Sequence, residues 1–578
     1  MKRKLLLVKE NTVPFLITAI FILCLLLCFH SFLYFFSDDA AIVEILRGGF
    51  DGISHPNSIF LSPLLSSILY FLYQKIPSFP WLFSFILVFQ SIGLFVGIKI
   101  LYCMSRNNAS RIISISGFIV ICNFFFFQIS FTSLSLFLWF IGVTSLVWNS
   151  FHPNTNVVSF QFIGLLLATS ILARPSIFPI AFIISLPGIV FFILKSSTVA
   201  KKKLLFVMIP LLAFSFCIGF TEPFYNEVST KYQKIQKDRS LLIDTPFLKN
   251  IPKSTVVQSF PEEDMYILGS WWTHDETIYN HSTMSSFIKQ HFDIFKLWNW
   301  ENGWKEFPFT LFHWIFILLL FFLFQTTSSV PEKRNNNILV SSSTKHESFV
   351  ISMFVLYILF CNLGLLFIRY QIRVFYPLLT FLYIVIFSFS LFPQKKQSVT
   401  WIPKSFPVII IVFMLGGICY LSVVQTNKTQ RIAQYNQRIA NTMIYHFPAN
   451  TNFAQIPTLN IAVSPWTRTS FFPHLHLLPE GWMVHSPYYY EHLHSLGIQN
   501  GRELCLKMVN NKEYVCFFFV HPKGSFSHFK NNFEKHFTNH YSPLLGNQTI
   551  HVEIVHDFRY FNHAGKEEGW VFFYLSTP

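Results

Sequence analysis

The sequence predicts an all-α polytopic membrane domain followed by a small α/β domain outside the membrane. Of its 578 residues, 52% are hydrophobic, 19% are aromatic and only 12% are charged, whereas soluble proteins carry about 25% charged residues. The apolar residues lie in runs of roughly 17–25, the length of a helix that crosses about 30 Å of hydrocarbon. This composition excludes a soluble globule, a disordered chain, a collagen-like repeat and a coiled coil.

About eleven apolar runs have the length of transmembrane helices. They cover residues 12–36, 80–103, 112–128, 130–149, 157–173, 175–194, 204–221, 308–325, 349–368, 374–392 and 405–424. The first run follows a basic start, but it is too long for the apolar core of a signal peptide and is predicted to be retained. A shorter apolar run at 58–73 is predicted to lie at the membrane surface or to dip into it.

The formal net charge of +15 lies mostly in short loops between the apolar runs. If the N-terminus is cytoplasmic and 58–73 does not cross, each of these basic loops faces the cytoplasm, as the positive-inside rule requires. If 58–73 crossed, every later loop would change sides. The charge therefore indicates a lipid bilayer as the partner, and not nucleic acid.

Eleven spans leave three substantial segments on the outer side: a first loop at 37–79, a long loop at 222–307 and a tail at 425–578. The tail begins with an amphipathic helix pattern and continues with strand-like runs. These runs are TLNIAVS, LCLKMV, YVCFFFV, HVEIV and WVFFYL. Residues 1–424 are therefore predicted to form the transmembrane domain, and residues 425–578 an extracytoplasmic α/β domain.

Two adjacent carboxylates, Asp38 and Asp39, follow the first span directly. Ser37 is placed to cap the helix after them. An ionisable pair at the membrane surface is costly unless it is paired or used, so a functional site is one interpretation. The alternative is that both acids only interact favourably with the dipole of the helix that they begin.

An acidic pair after the first span, a short interfacial helix and then His55-Pro56 resemble the first outer loop of C-type (GT-C) integral-membrane glycosyltransferases. Five later segments are similar, in order and spacing, to a largely uncharacterised bacterial membrane-protein family of this architecture. They are FQISFTSLSLFL, LLLATSILARPSIFPI, YQKIQKDRSLLIDTP, FPEEDMYILGSWWTHDE and RYQIRVFYPLL. The resemblance covers roughly residues 10–425. The sequence departs from better-studied members at Asn57, where a second proline is usual.

The resemblance implies transfer of a sugar from a polyprenyl-phosphate donor to a glycan, lipid or protein acceptor at the outer face of the bacterial inner (cytoplasmic) membrane. It makes Asp38 the general base, with Asp39 orienting it or holding a divalent metal, Mg²⁺ or Mn²⁺. Arg174, Arg369 and Arg373 lie at outer ends of predicted spans, where bidentate guanidinium groups suit a carrier phosphate. Two alternatives stay open: Arg174 snorkels from a helix end, and the other two arginines bind bulk lipid headgroups.

Further residues are predicted to bind substrate. His55 belongs to the first loop, and Arg239, Trp271 and Trp272 belong to the long loop, which is predicted to be a lid or an acceptor-recognition element. The alternatives are that the two tryptophans anchor the loop to lipid headgroups and that Arg239 pairs with Asp244. The departure at Asn57 leaves the role of His55 open.

Thirteen of the 21 histidines lie in the tail. The pairs His474/His476 and His492/His494 would each share one face of a strand. No cysteine or carboxylate completes a metal site at a recognisable spacing, so solvated histidines are favoured. The aromatic stretch at 479–493 either contacts glycan or forms a packed corner.

Two tail cysteines would face each other if Asn510-Asn511 formed a two-residue hairpin turn. In that register Cys505 and Cys516 occupy a hydrogen-bonded pair, the less favourable position for a disulfide. An oxidising exterior permits the bond, and the sequence leaves it open.

Two functions other than sugar transfer fit the composition: a transporter or flippase for lipid-linked saccharides, and a non-catalytic membrane scaffold. A transporter is expected to have charged or broken helices near the bilayer midplane. Here the spans are almost uncharged internally, and acids and arginines gather at one face. The sequence therefore favours the glycosyltransferase.

Overall fold

A computed structural model shows a mostly helical protein with one small sheet formed by the C-terminal part of the chain. The structure describes residues 2–28, 33–34, 37–48, 54–56, 58, 60–105, 108–126, 128–151, 158–195, 198, 201–202, 205–206, 209–211, 213–214, 227–251, 260–328, 355–364, 372–388, 441, 443, 445–448, 451–456, 476–479, 481–520, 526–558, 560–561 and 567–577.

Apolar helices form a bundle that we call the helical domain. They are α1 (Lys2–Cys28), α2 (Ser37–Arg47), α3 (Pro63–Lys75), α4 (Trp81–Met104), α5 (Asn108–Phe126), α6 (Phe131–Phe151), α7 (Phe160–Ala173) and α8 (Phe178–Lys195). After the long loop, which contains α9 (Glu227–Asp244), α10 (Glu262–Gly269) and α11 (His281–His291), the bundle continues with α12 (Trp300–Ser328), α13 (Val355–Gly364) and α14 (Ile372–Ser388).

Three described helices are long and apolar enough to cross a membrane: Trp81–Met104, Phe131–Asn149 and Gly303–Phe321. A bent pair adds a fourth if its two halves are counted as one span. Each of the three overlaps a predicted span. The described helices therefore support a membrane-associated protein, and they do not confirm eleven spans.

Four further apolar helical segments of 10–17 residues are Asn11–Leu26, Asn108–Asn123, Val355–Gly364 and Arg373–Phe387. These segments alone reach about 15–25 Å, less than the ~30 Å of a hydrocarbon core, but the whole helices α1 and α5 have 27 and 19 residues. All four overlap predicted spans. The predicted span 405–424 lies outside the described residues, and 204–221 is described only in part.

The two runs predicted as separate spans at 157–173 and 175–194 form a bent pair. Their halves, Phe160–Ala173 and Pro175–Val190, meet at 106°. Pro175 has no N–H to continue the helix, and a residue that precedes proline is driven out of the helical conformation. Arg174 has φ −156° and ψ 88°. The sequence thus breaks the helix at Arg174, and the pair is a broken span or a re-entrant loop.

The short helix α3 agrees with the prediction that residues 58–73 do not cross the membrane, although the helix begins at Pro63 and not at residue 58. Ser62 sets the start, since its hydroxyl accepts the N–H of Leu65 and Pro63 occupies the first helical position. The 13 residues of the helix reach about 20 Å at 1.5 Å per residue. This length is too short for a span.

The core of the helical domain is packed mainly with large apolar side chains from α4, α5, α6 and α14. Phe118, Phe137, Trp139 and Tyr383 are fully buried there. Gly97 permits one close helix contact, because a Cβ at this position would lie 2.4 Å from the ring of Phe118. Small residues at such crossings let helices approach closely.

The tail forms one mixed sheet of parallel and antiparallel strands. A two-residue pair, β1 (Leu33–Tyr34) with β2 (Gln128–Ile129), lies apart from it in the helical domain. The tail elements are β3 (Asn452–Ile456), β4 (His476–Leu477), α15 (Pro487–Ser495), α16 (Gly501–Asn510), β5 (Tyr514–Val520), α17 (Phe526–Tyr541), β6 (His551–Asp557), β7 (Tyr560–Phe561) and β8 (Glu567–Ser576). The strand order in the sheet is β4-β3-β5-β8-β6, and β7 pairs with β8.

Three of the predicted strands form: YVCFFFV, HVEIV and WVFFYL lie in β5, β6 and β8. The predicted strand TLNIAVS lies outside the described residues, as does most of the amphipathic helix pattern at the start of the tail. Strand β3, at Asn452–Ile456, precedes that segment and was not predicted.

The long loop and the tail share one hydrophobic core, although the sequence analysis separates them at residue 425. Ile267 and Met284 of the loop belong to the same buried cluster as Leu504, Phe533 and Phe573 of the tail. We therefore call the described parts of 227–298 and 451–577 together the sheet domain. A shared core requires both segments to lie on the same side of any membrane.

The strand predicted for LCLKMV is wrong, and the hairpin considered between Cys505 and Cys516 does not form. LCLKMV lies in helix α16, where Asn500 caps the N-terminus by accepting the N–H of Glu503. Leu504 and Met508 lie four residues apart and are both buried, so the run has a helical period that was interpreted as a strand. Both cysteines are buried, and they are not joined by a disulfide.

The histidine pair His492/His494 is also on a helix, α15, and not on a strand. Residues two apart point to different sides of a helix, so His492 is buried and His494 is exposed. These two histidines therefore do not form the shared face that strand geometry would give. His474 of the other pair lies outside the described residues.

Candidate functional site

Four helix ends meet around the acidic pair. Asp38 and Asp39 lie in the first turn of α2, which begins at Ser37. The short β1–β2 pairing, in which Tyr34 lies opposite Ile129, brings this turn beside the start of α6. The end of α7 and the start of α14 complete the site.

Asp39 is fully buried against the start of α6. Its Oδ1 accepts the backbone N–H of Phe131 at 3.0 Å, while Oδ2 has no hydrogen-bond partner among the described residues. Burial raises the pKa of Asp39 to about 7, although the charges of Arg373 and Arg174 and the Phe131 N–H favour the ionised form. This carboxyl group therefore changes charge close to neutral pH.

The raised pKa of Asp39 predicts a specific pH dependence of stability. The pKa of Asp39 is about 7 in the folded chain and 3.8 without burial. Between these pH values the folded chain holds a proton that the unfolded chain has lost, so the free energy of unfolding decreases as the pH rises from about 4 to about 7. Asp39→Asn removes this titration. The Tm of the wild type, relative to that of Asp39→Asn, should fall across this range and then level off. Thermal unfolding in detergent at constant ionic strength measures it, and parallel curves would refute the shift.

Asp38 and Arg373 form an ion pair, with Oδ2 of the acid 3.1 Å from Nη1 of the guanidinium. The Arg373 side chain is 7% exposed and the Asp38 side chain 19% exposed, so the acid is the more accessible partner. Ser133 on α6 donates its hydroxyl to the carbonyl oxygen of Arg373 at 3.0 Å, which fixes the start of α14 against α6.

Arg174 lies at the break between α7 and α8, close to the acidic pair. Its guanidinium donates to the hydroxyl of Thr132 and lies 5.2 Å from the ring centre of Phe60 and 5.1 Å from that of Phe131. Cations are attracted to aromatic faces at such distances. Arg174 is therefore held over two rings, with its charge acting on Asp39.

The structure thus brings together Asp38, Asp39, Arg174 and Arg373, which the sequence placed on one face of the membrane. Arg369 lies outside the described residues. His55 is buried beside the sheet domain, with Nε2 3.2 Å from Oε1 of Glu491. This contact joins the first loop to α15.

No family model matches the chain, and no curated protein matches it. The resemblance to C-type glycosyltransferases therefore stays a prediction.

Two aromatic residues that the sequence analysis did not assign connect the site to the sheet domain. The ring of Trp482 lies 4.7 Å from that of Phe60, and the Tyr232 hydroxyl donates to the Trp482 carbonyl oxygen at 2.8 Å. Trp482 belongs to the aromatic stretch 479–493, so the packed corner is the better interpretation of that residue. The only sequence signal was the density of aromatic residues.

Arg239 is fully buried and holds the long loop against the turn before α15. Its guanidinium donates to the hydroxyl of Thr273 at 2.8 Å and to the carbonyl oxygen of Val484 at 3.0 Å. Asp244, the partner considered from the sequence, accepts the hydroxyl of Ser240 at 2.8 Å. Burial lowers the pKa of Arg239 to about 10, so it stays charged at neutral pH. Its observed contacts are structural.

The two adjacent tryptophans have different environments. Trp272 is 2% exposed and packs on His274 and Phe533 in the sheet-domain core, which gives no support to a sugar-binding or headgroup-anchoring role. Trp271 is half-buried, with a positive φ of 59°, and packs against the core of the helical domain. Its predicted contact with substrate stays a prediction.

Proposed function

We propose that the protein is a membrane glycosyltransferase that moves a sugar from a polyprenyl-phosphate donor to a glycan, lipid or protein acceptor. The observation that carries the proposal is the ion pair between Asp38 and Arg373 at a junction of four helix ends, with Arg174 beside it. A partly accessible carboxylate beside two guanidinium groups offers both a proton acceptor and a binding site for phosphate.

In the proposed reaction Asp38 takes the proton of an acceptor hydroxyl group as that oxygen attacks the anomeric carbon. The bond between the anomeric carbon and the phosphate oxygen breaks, and the polyprenyl phosphate leaves with the bonding electrons. Arg373 and Arg174 stabilise the charge that develops on the leaving phosphate. Asp39, buried behind Asp38, is a positioning residue through its bond to the start of α6.

A divalent metal at Asp39 fits the described residues poorly. One oxygen of Asp39 already accepts a backbone N–H, Asp38 is paired with Arg373, and Arg174 adds a second positive charge nearby. Mg²⁺ and Mn²⁺ need several available oxygen ligands, and the two guanidinium groups here would repel them. We therefore derive the reaction from the two guanidinium groups and assign no step to a metal.

The proposed location is the bacterial inner membrane, with about eleven spans, a cytoplasmic N-terminus and the sheet domain outside. The shared core of the long loop and the tail supports placing both on one side. The site lies beside that domain, because Phe60 contacts Trp482 and His55 contacts Glu491. A donor carried by a membrane lipid suits the outer side, which has no supply of nucleotide sugars.

The test is sugar transfer by the purified full-length protein supplied with polyprenyl-phosphate sugars and candidate acceptors. Arg373→Gln removes the cation that faces Asp38, and kcat/KM should fall about 10- to 100-fold, since a hydrogen bond to a charged group contributes about 1.5–3 kcal/mol. Arg502→Gln is the matched control, because Arg502 bonds the Thr277 hydroxyl at the surface of the sheet domain. Equal loss in both variants would contradict the assignment of Arg373.

A transporter or flippase for lipid-linked saccharides is the second candidate, and the bent pair α7–α8 favours it. Broken helices line substrate paths in many transporters, and Arg174 lies at the 106° break. Proteoliposomes separate the two functions. Movement of the labelled donor across the bilayer without any sugar transfer would support the transporter, and transfer without movement would support the enzyme.

A further inference from the structure

A carboxylate and two imidazoles meet where the long loop packs on the tail. Asp264 lies in the first turn of α10, and His536 and His540 are four residues apart on one face of α17. Asp264 Oδ1 is 2.6 Å from His536 Nδ1, and both Asp264 oxygens are 2.9 Å from His540 Nε2. One potential ligand atom from each residue therefore lies within 4.8 Å of the others.

We propose that Asp264, His536 and His540 bind a divalent transition-metal ion, for which zinc is the best fit. Two imidazole nitrogens and one carboxylate oxygen are a donor set that zinc takes, whereas Ca²⁺ and Mg²⁺ select oxygen ligands. Two histidines four residues apart lie on the same face of a helix, so both rings can bind one metal ion. A water molecule completes the four ligands of tetrahedral zinc.

The surroundings hold the ligands in place and leave an entrance. Asp264 and His536 are 2% and 1% exposed, whereas the His540 side chain is 29% exposed and opens the site to solvent. The Tyr279 ring stacks on His536 with centroids 6.0 Å apart, and its hydroxyl donates to the backbone oxygen of Asp264 at 3.1 Å. Buried and oriented ligands lower the cost of assembling a metal site.

Metal binding requires only a small adjustment. The present distances of 2.6–2.9 Å between nitrogen and oxygen are those of hydrogen bonds, whereas ligands about 2.0–2.1 Å from a tetrahedral zinc lie about 3.3 Å apart. Rotation of the half-exposed His540 ring and a small shift of Asp264 supply the difference. The ion would join α10 of the long loop to α17 of the tail and so stabilise the sheet domain.

Zinc binding by the full-length protein in detergent tests the proposal. After treatment with EDTA and desalting, the wild type should take up one zinc ion per chain with higher affinity than His540→Ala, and loss of this ligand should weaken binding at least about tenfold. His528→Ala is the matched control, since His528 lies on the same helix and its ring contacts Tyr266 instead of the cluster. Elemental analysis and Co²⁺ absorption spectra measure binding.

The control separates this site from the other tail histidines, because any zinc bound by those histidines would be the same in His540→Ala and His528→Ala. Zinc should also raise the Tm of the wild type and of His528→Ala, but not that of His540→Ala. If His540→Ala has a lower Tm than the wild type in EDTA, His540→Gln replaces it in the comparison. Equal zinc affinity in all variants would overturn the proposal. Since the measurements record metal binding and not sugar transfer, their result is independent of the proposed function.

Discussion

Asp38→Asn should reduce sugar transfer by about 10²–10⁴-fold, the usual contribution of a general base. The amide keeps the size of the side chain and can still approach Arg373, but it cannot accept the proton of an acceptor hydroxyl group. Binding of the lipid-linked donor should change much less, because Arg373 and Arg174 keep their charges. Steady-state kinetics of the purified variant, with donor binding measured separately, tests both statements.

Asp293→Asn is the matched control for this experiment. Asp293 is an exposed acid in the long loop that caps a short 3-10 helix by accepting the N–H of Phe295 at 2.9 Å, and asparagine keeps that role. This control should retain full activity. Full activity of Asp38→Asn would show that Asp38 is not the general base. Loss of donor binding in that variant would show that Asp38 binds the donor instead.

Gly501→Ala should destabilise the sheet domain by about 3 kcal/mol or more, at the upper end of overpacking effects. A Cβ on Gly501 would lie 1.7 Å from the backbone oxygen of His274 and 2.9 Å from a carboxylate oxygen of Glu276. Because the nearest atom belongs to the backbone, no side-chain rotation relieves the clash, and the segment around His274 must move. Thermal unfolding followed by tryptophan fluorescence, together with proteolysis of the domain, measures the loss.

Gly269→Ala is the matched control for the second experiment. Gly269 ends α10, and no described atom outside its own helix lies within 4 Å of an added Cβ. Alanine is favoured over glycine in a helix by about 0.5–1 kcal/mol, so this variant should be neutral or slightly stabilised. Equal stability of Gly501→Ala and the wild type would show that the close approach of α16 to the long loop is absent in solution.

Helices and strands that have a clear hydrophobic pattern within one segment were predicted from the sequence. Trp81–Met104 forms a helix within about one residue of the predicted run, because nearly every residue in it is apolar. The same reasoning failed for LCLKMV, where buried positions four apart have the period of a helix but the run is short enough to be interpreted as a strand. The break at Arg174 was readable from the proline after it, yet apolarity on both sides led to a prediction of two spans.

The cluster of Asp264, His536 and His540 shows why sites are harder to predict than elements. Along the chain, no carboxylate accompanies the tail histidines at a recognisable metal-site spacing. In the structure Asp264 and His536, 272 residues apart, are within hydrogen-bond distance. The spacing of His536 and His540 was the one available signal, and it lies inside an amphipathic helix whose regularly spaced aromatic residues indicate only core packing.

The sequence by itself determined the membrane-associated class, most of the apolar helices, the acidic pair at the start of α2 and the strands β5, β6 and β8. These features depend on hydrophobicity and periodicity within one segment. Only the tertiary structure decided that Asp38 pairs with Arg373, 335 residues away, that Asp39 is buried with a raised pKa, and that the long loop and the tail share one core. Such features depend on which helix ends and faces pack together, and packing is a property of the whole chain that no local pattern contains.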